Sequence, residues 1–366
     1  MPRPKCSRNK TSEDVTIMDE VSMEVLKKEK PTEVKKPEDV SEDLCFDERI
    51  ETLMGIGPKT AEKLREFGYS TITDIATARA DEIQAMMKVT FAIAKGWTAQ
   101  AQEKLSKTMV FQTAEEQDKE KKGKQLFFLT GASDLNKLIG GGVPTMSITG
   151  LSGRLSSGKT QICFDAIIDC LSKGYKAVFI ETEPDTFHLD RLKEIANARG
   201  IKCNWSNLYV QGAERSPTPK AQYLQYKVVQ KYLERKEDIK LVVVDSMTAK
   251  FRGWSRSELL PIRTREFVEH FGLMEVLAAK YNLAWLLTFQ VIAPPRPDQG
   301  LAMQVKFEDN FYPVGGDFVL HSVNNWIALI QKRKELWEAN LFDSSHMKRG
   351  SCDYMLTAKG LMNAIV

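Results

Sequence analysis

The residues Gly153-Arg154-Leu155-Ser156-Ser157-Gly158-Lys159-Thr160 follow the spacing G-x-x-x-x-G-K-[S/T]. Glycines at both ends let the backbone close around a compact anion. Successive N–H groups then point inward, and the positive end of a following helix adds to them. In such a cradle Lys159 reaches the outer phosphates of a nucleoside triphosphate, and the Thr160 hydroxyl supplies an oxygen to Mg²⁺. Gln161 carries the loop into a helical pattern, and the apolar run Met146-Ser147-Ile148-Thr149 precedes it, so the strand–loop–helix context is present.

Hydrolysis needs a carboxylate for the metal and a base for water. The run Leu241-Val242-Val243-Val244 reads as a buried strand and ends in Asp245, the expected second Mg²⁺ residue. The run Ala177-Val178-Phe179-Ile180 ends near two carboxylates, Glu181 and Glu183. Either qualifies as the base, and position alone does not choose between them. Gln290 follows Trp285-Leu286-Leu287-Thr288-Phe289 and offers an amide that can sense a γ-phosphate. Ligands gather at the carboxyl ends of parallel strands, where all these residues are expected.

The elements that must position them alternate strand and helix from Phe127 onward, which predicts an α/β core with a mainly parallel sheet covered on both faces. That core is expected over residues 127–366, ending in strands and turns from about 325. Residues 1–44 are polar, charged and poor in aromatics, and are read as a disordered tail. Residues 45–107 read as short helices with tight turns, Gly68 standing as a helix-ending glycine. Residues 108–126, with their charged run 115–124, read as a linker.

Composition narrows the function classes. The 366 residues carry 52 Lys and Arg against 49 Asp and Glu, a net charge of +3 that excludes a polycation; nucleic acid would have to meet local basic patches. The six cysteines form no Cys-x-x-Cys pair and the four histidines are isolated, so neither a zinc site nor a disulfide framework is expected. No apolar run approaches ~18 residues and no secretory leader is visible. A protein of a reducing compartment, without a membrane partner, is the expectation.

Taken together, these residues resemble the RecA-type strand-exchange recombinases, specifically archaeal RadA and its eukaryotic relatives, from about Leu53 to Gly360. Thr130-Gly131-Ala132 and Gly140-Gly141-Gly142 resemble that family's entry to the ATPase core. Gly158-Lys159-Thr160-Gln161 resembles its phosphate loop, and residues 180–183 its I-D-T-E element, which favours Glu183 as the water-activating residue. Val244-Asp245-Ser246 with Phe251-Arg252 resembles the magnesium strand and the start of the first DNA loop. Gln290-Val291 resembles T-N-Q-V, and Pro313-Val314-Gly315-Gly316 with Leu320-His321-Ser322 the close of the second DNA loop. Gly55-Ile56-Gly57-Pro58 resembles a helix-hairpin-helix, and Phe111-Gln112-Thr113-Ala114 the F-x-x-A motif that docks on a neighbouring subunit.

The resemblance implies an ATP- and Mg²⁺-dependent DNA recombinase and ATPase. It would polymerise on single-stranded DNA, engage double-stranded DNA, and assemble as a filament or ring with recombination accessory proteins as further partners. Its place would be the cytoplasm at the nucleoid, or the nucleus of a eukaryote. Phe111 and Ala114 would be interface residues, and Arg191 falls where the family stacks an arginine on adenine. Gly55, Gly57 and Lys59 would meet DNA phosphates. Arg252, Arg256, Arg263 and Arg265 would do so from the first DNA loop, and Arg296 and Lys306 from the second. Departures are Arg154, Ser156, one extra residue between Glu183 and Phe187, Phe289, the absence of G-R-G after Gly253, Asn340, and the absence of a proline in Asp343-Ser344-Ser345-His346. They support an alternative expectation, a weakly catalytic or non-catalytic paralogue acting as mediator or filament regulator.

Overall fold

The computed structural model describes residues 49–108, 111–254, 257–292, 312–313 and 315–364. The expected disordered tail, Arg256, Arg296, Lys306 and Val314 lie outside them. The chain divides into two compact units, one ending at Gln112 and the other starting at Thr113.

The first unit is all-helical: α1 (Pro58–Glu66), α2 (Ile72–Thr77), α3 (Ala80–Met87) and α4 (Phe91–Thr108). Ile50, Leu53, Ile56, Leu64, Ile72, Ile75, Ile83 and Trp97 form its core. The hairpin before α1 turns at Gly55, whose φ of +87° favours glycine. Gly57 caps α1 and Pro58 opens it, where a missing N–H costs nothing. At the other end Gly68 has φ +92°, and the Tyr69 N–H reaches back to the Leu64 carbonyl at 2.9 Å.

The second unit starts with α5 (Ala114–Lys124). The charged stretch expected as a linker is therefore helical. Thr113 and Glu116 form a reciprocal capping box, and Lys122–Asp118 and Lys124–Glu120 pair at 2.7 Å one turn apart. The helix buries none of its residues, so local terms hold it, and the Asn282 amide fastens its last carbonyl at 2.6 Å. There follow β1 (Phe127–Phe128), α6 (Ser133–Leu138), β2 (Val143–Pro144), β3 (Ser147–Gly153), α7 (Lys159–Ser172), β4 (Lys176–Glu181) and α8 (Leu189–Ala198). Then come β5 (Leu208–Gln211), α9 (Pro219–Glu234), β6 (Ile239–Asp245), α10 (Leu260–Tyr281), β7 (Ala284–Phe289), β8 (Val291–Ile292) and β9 (Tyr312–Pro313). The chain closes with α11 (Asp317–His321), β10 (Asn325–Arg333), β11 (Leu336–Ser344), β12 (Gly350–Thr357) and β13 (Gly360–Asn363).

Nine strands form one sheet in the order β13-β12-β11-β10-β3-β7-β6-β4-β5. The six from β10 to β5 run parallel, and β10 to β13 add an antiparallel extension. Alternate residues of each central strand feed opposite cores. Leu241 and Val243 of β6 pack with α7 and α8, whereas Val242 and Val244 pack with α9 and α10. One buried ion pair ties this sheet to its flanks. The guanidinium of Arg199, at the end of α8, lies 3.0 Å from the carboxylate of Asp165 on α7 and donates to the carbonyls of Lys359 and Leu361, each at 3.0 Å.

Arg263 and Arg265 correct an expectation. They sit in the opening turns of α10, which starts at Leu260 with Pro261 in its first turn, and not in a loop.

Candidate functional site

Strand β3 is buried over its whole length and delivers the chain to residues 154–158, which wrap back to start α7 at Lys159. Close packing shapes this loop. A Cβ on Gly158 would lie 2.7 Å from Leu356 Cδ2, and one on Gly153 would lie 2.6 Å from Ser157 Oγ. Ser156 holds φ +62°, a left-handed conformation that glycine takes without strain. The loop is braced from β12, where the buried Tyr354 hydroxyl donates to the Ser157 carbonyl at 2.8 Å.

Lys159 folds back over the loop and donates to the carbonyls of Gly153 and Arg154, each at 2.9 Å. Burial holds its ammonium below the ordinary lysine range, against the opposing pull of Asp245 and Glu183. Thr160 donates to Asp245 Oδ2 at 2.6 Å, and Thr288 on the neighbouring strand β7 donates to the other oxygen. Burial raises the Asp245 carboxyl above the usual carboxylate range, although both hydroxyl donors pull it down.

The strand ends are locked in register next to this carboxylate. Thr182 donates its N–H to the Asp245 carbonyl at 2.9 Å and its hydroxyl to the Ser246 carbonyl at 2.6 Å. Glu181 and Glu183 then separate in role. Glu181 accepts the N–H groups of Thr186 and Phe187 at 2.7 and 3.1 Å and so closes the turn after β4. Glu183 faces the cavity, where Gln290 and Arg252 both donate to its Oε1.

These residues surround one cavity of about 790 Å³ at the carboxyl ends of the parallel strands. Gly153, Arg154, Leu155, Ser156, Ser157, Gly158, Lys159, Thr160, Gln161, Glu183, Asp245 and Gln290 all line it. So do Ser246 and Val291 of the quoted motifs, together with Thr186 and Leu356, which sequence reading did not single out. Thr288 was also missed, although its place one residue before the end of β7 put it beside Asp245. Arg252, expected on DNA, lies in the cavity wall. Arg191, expected on adenine, donates to the carbonyls of Thr357 and Ala358 at 3.0 and 2.7 Å, to Glu194 at 3.2 Å, and to Gln161 of the cavity lining at 3.2 Å.

The sequence model described as Rad51 matches residues 121–364, and that of the SAM-like helix-hairpin-helix tandem matches residues 47–103. The chain belongs to the Rad51 family. Proteins named "DNA repair and recombination protein RadA" are among its relatives. That of Ignicoccus hospitalis is 31% identical over 90% of this chain and 97% of its own length, and that of Aeropyrum pernix 32% identical over 85% and 96%.

The departures of this Rad51-family chain have structural places. Phe289 turns away from the cavity and is fully buried, its ring 4.7 Å from that of Trp326. The turn with the extra residue carries Asp185 at φ +61° and is the one Glu181 closes. Ser344 and Ser345 are tied to the start of β10: the Ser344 hydroxyl donates to Asn325 at 2.8 Å and the Ser345 N–H to the Asn324 carbonyl at 3.1 Å. Asn340 lies within the β11 ladder opposite Ala328. In the helix-hairpin-helix unit Gly55 and Lys59 line a groove with Lys63, and Gly57 is exposed beside them. Phe111 is fully exposed, and Ala114 is the first residue of α5. Among the described residues no helix is long and apolar enough to cross a membrane.

Proposed function

We propose that this chain is an ATP-driven DNA recombinase, which assembles on single-stranded DNA and promotes pairing and strand exchange. The observation that carries this reading is the convergence of Lys159, Thr160, Asp245, Glu183 and Gln290 on one cavity in a Rad51-family fold.

The cavity suits a nucleoside triphosphate. The loop's N–H groups and the start of α7 meet phosphates, and Lys159 exchanges the carbonyls of Gly153 and Arg154 for phosphate oxygens. A buried carboxylate beside a threonine hydroxyl is the donor set a magnesium ion takes, so Asp245 and Thr160 are the residues to hold it. When bound, the ion neutralises charge on the phosphates. Glu183 orients and deprotonates the attacking water. Gln290 lines the cavity beside Glu183 and leads directly into β8, and so is the residue to link nucleotide state to DNA contact.

DNA contact is assigned to the Gly55–Lys59 hairpin and to Arg252, Arg263 and Arg265, all of which meet phosphates without reading bases. Assembly is assigned to Phe111. Its receptor on a second copy is the apolar cavity of about 160 Å³ at the edge strand β5, lined by Val178, Ile180, Val210, Val229 and Tyr232. A cavity of roughly 150 Å³ holds a benzene ring. A head-to-tail contact of this kind extends into an open helical filament unless its rotation closes a ring. Phe111→Ala is expected to abolish filaments seen by electron microscopy while each copy still binds ATP. Filaments that persist in the variant would remove Phe111 as the anchor.

The deciding experiment is ATP hydrolysis with and without single-stranded DNA, followed by strand exchange between homologous duplex and single strand. Turnover stimulated by DNA, with joint molecules formed, is the expected result. ATP binding without stimulated turnover would overturn it in favour of a mediator.

A further inference from the structure

Two donors hold one oxygen of Glu183. Gln290 reaches it from the end of β7, and Arg252 reaches it from the helical turn that follows β6. Both anchors line the cavity, but they differ in their rooting and exposure. Gln290 lies one residue beyond a fully buried strand. Arg252 lies at the start of the first DNA loop, with 49% of its side chain in solvent, against 28% for Glu183.

The backbone beneath Arg252 is fixed even though its head is free to exchange partners. Phe251 is fully buried and stacks on Phe267 of α10, with ring centres 4.1 Å apart and planes 19° from parallel. Its edge also meets His270 at 5.3 Å. An arginine rooted this firmly, with half its surface open, can pass from one anion to another without refolding. A DNA phosphate is such an anion, and it matches the guanidinium fork as well as a carboxylate does.

We propose that Arg252 is a positioning residue for the hydrolytic reaction, holding Glu183 against Gln290 while DNA is absent. A carboxylate oxygen that already accepts two donors, one of them charged, is a weaker base and has fewer lone pairs for water. When a phosphate of single-stranded DNA draws the guanidinium away, Glu183 keeps one neutral donor and turns its charge to the water. The trade is anion for anion, so the cavity loses one positive charge at the moment DNA arrives. This coupling rests on Glu183 being the base, and it gives the DNA loop a direct hand on the chemistry.

The test measures ATP turnover by Arg252→Ala, Arg252→Lys and Glu183→Gln beside the unchanged chain, without DNA and with saturating poly(dT). Arg252→Ala is expected to raise DNA-free turnover about fivefold, the factor an exposed ion pair of about 1 kcal/mol supplies. Its ratio of DNA-stimulated to DNA-free turnover should fall toward one. Arg252→Lys keeps a charge but loses the planar fork, and should lie between. Added salt should raise DNA-free turnover of the unchanged chain and leave that of Arg252→Ala flat, because screening weakens an exposed pair. DNA-free turnover of Arg252→Ala at or below that of the unchanged chain, with full stimulation at saturating poly(dT), would overturn the proposal. Glu183→Gln separates the two failures. If it abolishes turnover while Arg252→Ala releases none, the restraint alone is wrong. If it leaves turnover intact, Glu183 is not the base and both readings go.

Discussion

Glu183→Gln is expected to bind ATP as the unchanged chain does and to hydrolyse it roughly 10²–10⁴-fold more slowly, the range a general base contributes. The amide has the shape of the carboxylate, and its oxygen can still accept from Gln290 and Arg252. What it loses is the charge that, on the proposed role, takes the proton from water. Lys159→Ala should fail differently, since an ammonium in the cavity wall is removed and, on the proposed role, nucleotide affinity falls with turnover. Glu181→Gln supplies the contrast. Its carboxylate closes a turn through the Thr186 and Phe187 N–H groups, so its loss should cost stability before chemistry. Equilibrium titration with a fluorescent ATP analogue, beside phosphate release in single turnovers, separates the three. Turnover by Glu183→Gln within a few-fold of the unchanged chain would strip Glu183 of the role.

Arg199→Ala is expected to destabilise the second unit by about 3–5 kcal/mol, the usual cost of leaving a buried charge without its partner. The Asp165 side chain is wholly buried, and besides Arg199 it receives the Gly131 N–H at 2.8 Å. Burial pushes its carboxyl up to about 6 from an ordinary 3.8, with Arg199 opposing the rise. The folded state therefore holds this proton more tightly than the unfolded chain. Its contribution to stability is fully present below about pH 4 and is lost as the pH rises through about 6. Without the guanidinium the carboxyl should climb further and lengthen that window upward. Urea unfolding at pH 5 and at pH 8 should accordingly find the larger deficit at pH 8. Asp165→Asn in the same background should restore part of it. A deficit below about 1 kcal/mol, or one indifferent to pH, would show that water reaches Asp165.

The site was legible in the sequence where its chemistry is local. The cradle is eight consecutive residues, and Asp245 ends a β-branched apolar run that reads as a buried strand. The alternation of strands and helices fixed the parallel core for the same reason. What escaped depends on pairs far apart in the chain. Glu181 and Glu183 share an alternation phase at the end of one strand, and only the N–H groups that capture Glu181 tell them apart. Arg252 reads as a phosphate-binding charge until Glu183, 69 positions earlier, is seen beside it. Arg191 is likewise claimed by carbonyls 166 and 167 positions away. The helix α5 is a different case. Its Thr113-x-x-Glu116 cap and its i,i+4 charge pairs were present in the sequence, but the missing apolar stripe argued for a linker, and local terms prevailed.

The brace on the phosphate loop gives this protein a schedule. The loop's own residues are made early, whereas Tyr354, which holds the Ser157 carbonyl, comes 197 positions later, and Leu356, which packs on Gly158, follows it. During synthesis the chain therefore carries a complete glycine-rich sequence with no wall behind it. A product stopped short of Tyr354 would keep every residue of the signature and lack the support that shapes it. The shape of the loop therefore waits on residues made nearly two hundred positions after its own.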